Sequence, residues 1–274
     1  MTGTFRAACV QMRTGLDVAA NIASASALIR EAKAQGADFI ATPEMTSLFE
    51  AETDALFAKT KPQAEDLALN AFCALAGELG VWLLIGSLPI RVAERQCANR
   101  SFLISPNGVV VTTYDKIHMF DVDLPGGEVY RESRNYRPGE VAVVADLPWG
   151  KLGLTVCYDL RFPQLYRALA KAGALFITIP AAFTHTTGAA HWHVLQRARA
   201  IETGCFIIAP AQAGTHENKR RTFGHSLIVA PWGEILAEAG EEPGVIVADI
   251  DPAKVTEARG RVPALTHDRR FTLS

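Results

Sequence analysis

Apolar positions along the chain recur in two rhythms. "TFRAACVQM" (4–12), "ADFIATPE" (37–44) and "VWLLIGSLPI" (81–90) are short apolar runs bounded by polar or turn residues, the pattern of buried strands. Between them, residues 18–35 set Ile22, Ile29 and Ala32 on one helical face and stop at Gly36. Residues 63–79 place Leu67, Ala71, Leu75 and Leu79 at i, i+4, i+8 and i+12 and stop at Gly80, which predicts a second helix. "RSFLISPNGVVVTTYDK" predicts two strands around a Pro106-Asn107-Gly108 turn. Further strands are expected within 151–160, 174–183, 205–214, 224–239 and 244–250, and helices over about 163–172 and 188–203. Strands alternating with helices predict an α/β fold. No linker, low-complexity block or fixed-period repeat divides the chain. Residues 1–274 are therefore expected to form one domain, with a core at about 4–251 and a C-terminal helix and tail at 252–274. Only residues 118–140 form a long stretch without periodicity, and loops of that length are often functional.

Charge and cysteine usage narrow the partners. A formal net charge of −2 gives no electrostatic reason to bind nucleic acid or an anionic membrane. "ENKRR" (217–221) reads as a solvated loop. The N-terminus lacks the basic and apolar regions of a signal peptide, and no apolar run approaches the roughly 18 residues that span a bilayer. Five scattered cysteines, odd in number and never spaced CxxC, argue against a disulfide framework or a zinc site and for a reducing cytoplasm. His191 and His193 are two apart and face different sides of a helix. "GHSLI" lacks the second glycine of a serine-hydrolase elbow, and no glycine-rich phosphate loop exists. No metal and no organic cofactor is expected.

Ligands of open α/β sheets gather outside the carboxyl ends of strands. Three reactive side chains directly follow strand patterns: Glu44 after "FIATP", Lys116 after "VVVTTYD" and Cys157 after "LGLTV". Their chemistry fits one task. A thiol with an ordinary pKa of about 8.5 needs a base or a cation beside it at neutral pH. Glu44 can take its proton, and Lys116 can meet the thiolate and later an oxyanion. The backbone N–H of Tyr158, next after the nucleophile, is the natural second oxyanion donor. Each residue also has a plain alternative: a packed thiol, a helix-capping glutamate, and a surface lysine beside Asp115.

Taken in this order, "TPEM", "YDKIHMFD" and "GLTVCYDLRFP" resemble the Glu-Lys-Cys signature of the nitrilase superfamily of carbon–nitrogen hydrolases. The resemblance runs from the first strand to beyond residue 250. It implies a four-layer αββα sandwich whose subunits pair through helical faces, hence a homodimer or higher homo-oligomer. It implies Cys157 as the nucleophile that forms a thioester, Glu44 as general base and Lys116 as oxyanion stabiliser. A second glutamate is implied as well, Glu132 in "YRES", with Glu128 as its competitor.

Several stretches resemble the Nit branch of that superfamily: "KIHMFDVDLPGG", "YRES…YRPG", "FTHTTGAAHWHVLQRARAIET" and "GHSLIVAPWGEILAEAG". The implied activity is cleavage of the terminal amide of deaminated glutathione through a Cys157 thioester, with release of ammonia. The alternatives are an omega-amidase acting on 2-oxoglutaramate or 2-oxosuccinamate, or another small-amide or nitrile hydrolase. Ile201-Glu202-Thr203 and Gln212 favour the first; Ala189 departs from the proline common in "TTGPAHW".

These substrates carry a carboxylate, so the pocket needs a further cation. Arg161, four residues after Cys157, is the candidate two-pronged receptor; a structural ion pair with Asp159 or Glu132 is its other reading. Phe183 and Thr187, in the loop after 174–183, are expected to line the pocket together with Tyr158. Two other classes compete: a non-catalytic scaffold, and a Cys-His-Glu amidotransferase using His193.

Overall fold

In the strand Phe5–Gln11 the pleat sends Ala7 and Cys9 to one face and Ala8 and Val10 to the other, and all four are fully buried. A strand buried on both faces needs a packed layer on each side. The computed structural model, which describes residues 3–124 and 127–274, supplies both layers. Pro125 and Gly126 of "KIHMFDVDLPGG" lie outside the described residues.

The first sheet orders its strands Gly244–Ile250, Phe5–Gln11, Phe39–Ala41, Trp82–Ala93, Gln96–Ile104 and Val110–Asp115, with Tyr136–Arg137 added beside Gln96–Ile104. The three strands Phe5–Gln11, Phe39–Ala41 and Trp82–Ala93 run parallel. The second sheet orders Ile235–Glu238, Leu227–Val229, Phe206–Ala209, Ala174–Thr178, Gly150–Leu154 and Val143–Leu147, parallel across its middle three.

Among the described residues, six α-helices accompany them: α1 (Val18–Ala34), α2 (Thr53–Lys59), α3 (Leu67–Leu79), α4 (Pro163–Lys171), α5 (His185–Thr203) and α6 (Ala253–Arg261). Ile29 and Ala32 of α1 and Phe72 and Leu75 of α3 cover Ala8, Val10, Ile40 and Leu83 on the outer face of the first sheet. Ala7, Cys9, Phe39 and Leu84 face inward onto the second sheet, where Phe5 meets Phe176 edge to face at 5.2 Å. The outer face of the second sheet is covered by α4 and α5, and Gly153 leaves room for Leu169 of α4. The layers run helix, sheet, sheet, helix, which is the expected αββα sandwich.

Proline and backbone crowding trim the expected strands. The strands Phe39–Ala41, Ala174–Thr178 and Phe206–Ala209 each end just before a Pro (Pro43, Pro180, Pro210), which cannot donate to a ladder. The strand expected over 151–160 stops at Leu154, and Cys157–Arg161 is a 3-10 turn. The expected helix 63–79 begins at Leu67, because Asp66 caps it by accepting from Leu69 N. The expected helix 188–203 begins at His185, capped by Thr184. The segment 205–214 divides into Phe206–Ala209 and Ala213–Thr215, and 224–239 into Leu227–Val229 and Ile235–Glu238. Residues 118–140 hold a short hairpin, Asp121–Asp123 with Val129–Arg131, and a 3-10 turn at Glu132–Arg134. Among the described residues no helix is long and apolar enough to cross a membrane.

Candidate active site

Each of the three strand-end residues sits where the ladder has just broken. After Pro43, Glu44 is fixed from its own backbone: Gln212 Nε2 donates to Glu44 O at 2.9 Å and Met45 N to Ser87 Oγ at 2.9 Å. Met45 takes the left-handed region at φ 57°, turning the chain immediately beyond Glu44. Lys116 ends Val110–Asp115, its N–H bonded to Asn99 O at 2.9 Å. Cys157 lies at φ 49° with its N–H on Pro180 O at 2.9 Å, a strained position of the kind that pushes a side chain out of the fold. The fully buried Asp159 ties this turn to the lysine strand. Its carboxylate accepts from Val156 N at 2.9 Å, Tyr114 Oη at 2.6 Å and His118 N at 3.0 Å.

The ionisable groups converge. Lys116 Nζ lies 2.9 Å from Glu44 Oε1 and 3.0 and 2.7 Å from the two oxygens of Glu132. Asn99 Nδ2 donates to both carboxylates, at 2.9 Å to Glu44 and 3.0 Å to Glu132. Its carbonyl Oδ1 is left buried without a donor, the cost of aiming both N–H groups at the glutamates. Backbone donors complete the set: Ala182 N to Glu44 at 2.8 Å and Phe120 N to Glu132 at 2.7 Å.

Burial pushes the Glu44 carboxyl up, but the Lys116 charge and hydrogen bonds from Lys116, the Cys157 thiol and Asn99 bring it below the ordinary carboxylate value. Burial works against the Lys116 charge, yet Glu132 and then Glu44 hold its pKa well above normal. For Cys157, burial and then the Glu44 charge raise the thiol well above its usual value, against the opposing pull of Lys116. The resting set is therefore carboxylate, ammonium and neutral thiol, with the thiol's proton shared toward Glu44. Such a set can attack an acyl carbon and hand the thiol proton to Glu44 in the same step.

These groups floor a cleft of about 500 Å³, within the range of small-molecule sites. Tyr158, Phe183 and Thr187 line it, and Thr187 belongs to the first turn of α5 and not to a loop. Ala189 likewise lies inside that helix, so the chain beside the cleft is helical from His185 onward. The second glutamate beside Lys116 is Glu132. Glu128 instead accepts from Tyr130 Oη at 2.7 Å and Thr186 Oγ1 at 3.1 Å.

Arg161 is not among the lining residues. It lies over the rings of Phe183 (5.2 Å) and Tyr158 (5.9 Å), with its guanidinium toward His191, and forms no ion pair with Asp159 or Glu132. Besides Lys116, the cations that line the cleft are Arg131, Arg134 and Arg220, the last from the segment read as a solvated loop. Sequence reasoning also missed Asn99, hidden inside an apolar strand, and the backbone donors of Phe120 and Ala182, which carry no side-chain signal.

His193 is outside the cleft, so it has no access to Cys157. It shares Glu238 Oε1 with His225, each at 2.9 Å. The three form a group able to hold a metal ion, and both imidazoles are already satisfied by the same carboxylate oxygen.

The carbon–nitrogen hydrolase family model matches residues 6–260. A deaminated glutathione amidase from Synechocystis is 41% identical over 268 residues, covering 96% of this chain and 97% of the relative. The human omega-amidase NIT2 is 34% identical over 97% of this chain and 95% of its own. The crystal structure of the C. elegans NitFhit protein superposes with a TM-score of 0.91 at 33% identity, covering 98% of this chain and 66% of that one.

Proposed function

The chain belongs to the carbon–nitrogen hydrolase family and hydrolyses amide carbon–nitrogen bonds, and from that premise we propose that its substrate is deaminated glutathione and its nucleophile Cys157. The observation that carries the nucleophile is the buried set of Glu44, Lys116 and Glu132 closed around one strained cysteine in a cleft. The substrate reading is supported by the greater likeness to the deaminated glutathione amidase than to the omega-amidase.

In this reading Glu44 takes the thiol proton as Sγ bonds to the amide carbon. The oxyanion is met by Lys116 Nζ and by Tyr158 N–H, which has no acceptor among the described residues. Protonated Glu44 then gives its proton to the departing nitrogen, the C–N bond breaks and a thioester remains. Glu44, again a carboxylate, takes a proton from water as the water oxygen attacks the thioester carbon. The C–S bond then breaks, the acid leaves, and Glu44 returns its proton to Sγ, which restores the thiol. Glu132 holds Lys116 in place and orients substrate or water.

Substrate chemistry corrects one expectation. Deaminated glutathione is a 2-oxo diacid joined by a secondary amide to cysteinylglycine, so the leaving group is the amine of that dipeptide. Ammonia leaves only from primary amides such as 2-oxoglutaramate. Support for a cytoplasmic location comes from five free cysteines, and for a homodimer or higher oligomer from the exposed Val194 and Ile201 on α5 and exposed Trp232. We take residues 1–274 as one domain.

A substrate panel tests the reading. The expected result is a higher kcat/KM for deaminated glutathione than for 2-oxoglutaramate or 2-oxosuccinamate. A strong preference for the two small amides overturns it.

A further inference from the structure

We propose that His193, His225 and Glu238 form a binding site for a divalent first-row transition-metal ion, with Zn²⁺ the best match to its ligands. The site stands apart from the amidase reading, since none of the three residues lines the catalytic cleft. His193 belongs to α5, His225 to the loop before Leu227–Val229, and Glu238 to the strand Ile235–Glu238. The fold thus brings together donors that sequence spacing keeps apart. His193 Nε2 and His225 Nδ1 each lie 2.9 Å from Glu238 Oε1, and the three ligand atoms fall within 4.8 Å of one another. Two imidazole nitrogens and one carboxylate oxygen suit zinc and its neighbours, whereas Mg²⁺ and Ca²⁺ take oxygen ligands. Around a tetrahedral Zn²⁺, ligand atoms about 2.0–2.2 Å from the ion stand about 3.4 Å from one another. The carboxylate therefore draws back by about half an ångström while the nitrogens close in, a shift open to part-exposed side chains.

The surroundings aim the donors at one point. His225 takes the left-handed region at φ 55°, and its backbone is held on both sides. Its N–H donates to Gly240 O at 3.0 Å, and its carbonyl accepts from Trp192 Nε1 at 2.7 Å. Trp192 is fully buried and directly precedes His193, so α5 is clasped to the loop right beside its own ligand. Phe223 orients both imidazoles: it stacks on His225 at 4.4 Å and meets His193 edge to face at 5.9 Å. The same ring packs so closely on α5 that Gly188 has no room for a side chain. Donors held in this way lose little freedom when they bind. The side chains of His193, His225 and Glu238 remain 33, 24 and 35% exposed, so an ion can enter and its fourth position faces solvent. On binding, each ring nitrogen presents its lone pair, and the proton it carried passes to the other ring nitrogen or to solvent. The ion pins α5 to the strand Ile235–Glu238, a structural role away from the cleft.

The test titrates chelator-treated protein with Co²⁺, whose visible absorption bands report a tetrahedral site. It is run in wild type and in Cys157→Ala, where the catalytic thiol can supply no ligand. The expected result in both is one Co²⁺ per chain, displaced by Zn²⁺ and not by Mg²⁺ or Ca²⁺. In the Cys157→Ala background, His193→Gln, His225→Asn and Glu238→Gln should each weaken binding by at least about 10²-fold, the upper end of the loss when only a supporting partner of a ligand is removed. Asparagine is chosen at position 225 because it tolerates a positive φ. Zn²⁺ should raise the Tm of Cys157→Ala by mass action and leave that of the three ligand variants unchanged. Far-ultraviolet circular dichroism of the chelator-treated variants, the same as that of their parent, reports that the fold persists. Absence of the visible bands in Cys157→Ala overturns the proposal, and so do bands that survive all three substitutions. A sulfur-to-cobalt charge-transfer band as the sole signal, present in wild type and lost in Cys157→Ala, puts the ion on the catalytic thiol and overturns it too.

Discussion

The floor and the wall of the cleft treat charge in opposite ways. On the floor, Lys116 is almost wholly buried and meets three carboxylate oxygens, while Asn99, Ala182 and Phe120 supply further donors to the same two glutamates. On the wall, Arg220 is half-buried over two aromatic rings and, among the described residues, forms no ion pair with a carboxylate. A closed set of charges needs nothing from a ligand to hold its geometry, so it serves a reaction common to many amides. An open charge gains most when a ligand brings the missing partner. The two kinds of charge line one cleft.

The largest expected effect comes from opening the floor. Lys116→Met leaves Glu44 and Glu132 buried together without their cation. Stability should fall by about 3–5 kcal/mol, the range for breaking a buried pair, and turnover of every amide by at least about 10²–10³-fold, as for loss of an oxyanion donor. Denaturant unfolding and steady-state rates check both. If Lys116→Met were instead selective for carboxylated amides, the division between floor and wall would collapse. Next in size is Arg220→Gln, which should lower kcat/KM far less than Lys116→Met and leave the unfolding free energy within about 1 kcal/mol of wild type, as steady-state rates and denaturant unfolding check.

A smaller effect concerns the turn that carries Arg220. His216 is buried beneath it, bonded to Thr14 O at 2.9 Å and Thr222 Oγ1 at 2.7 Å. Burial, aided by the Arg220 and Arg13 charges, lowers its pKa to about 4. Unfolding returns it to about 6.5. The folded state therefore favours neutral imidazole, and this contribution is complete above pH 6.5 and is lost as pH falls toward 4. It amounts to about 3 kcal/mol at most. Unfolding free energy measured between pH 7 and 4.5 should drop less steeply in His216→Gln than in wild type. Equal slopes would show that the wall turn is not acid-sensitive through this residue.

The floor was largely legible in the sequence, and the wall was not. Glu44, Lys116 and Cys157 each follow an apolar run, so strand-end logic marks them without knowledge of the fold, and the resemblance supplies Glu132. Asn99 sits inside "CANRSFLI", where one polar residue looks like the solvent side of a strand although it is fully buried. Arg220 lies in "ENKRR", and a charge run has the same pattern whether it faces bulk water or a cleft. Arg161 shows the converse: four residues from the nucleophile in sequence, it is carried by the 3-10 turn onto the rings of Phe183 and Tyr158. The layer order also escaped periodicity, because the inner strands are apolar on both faces and do not say what covers each one. The short helix α2 gave no signal, since seven residues show less than two full repeats of the helical period.

The central claim is that Cys157 carries the acyl group, and intact-protein mass spectrometry of enzyme quenched during turnover tests it most directly. Deaminated glutathione and 2-oxoglutaramate share an acyl half, so both should give one and the same 2-oxoglutaryl adduct. It should map to Cys157 and be absent in Cys157→Ala, which should lose at least about 10⁴-fold in activity. No adduct from either substrate, together with undiminished hydrolysis by Cys157→Ala, would contradict the account.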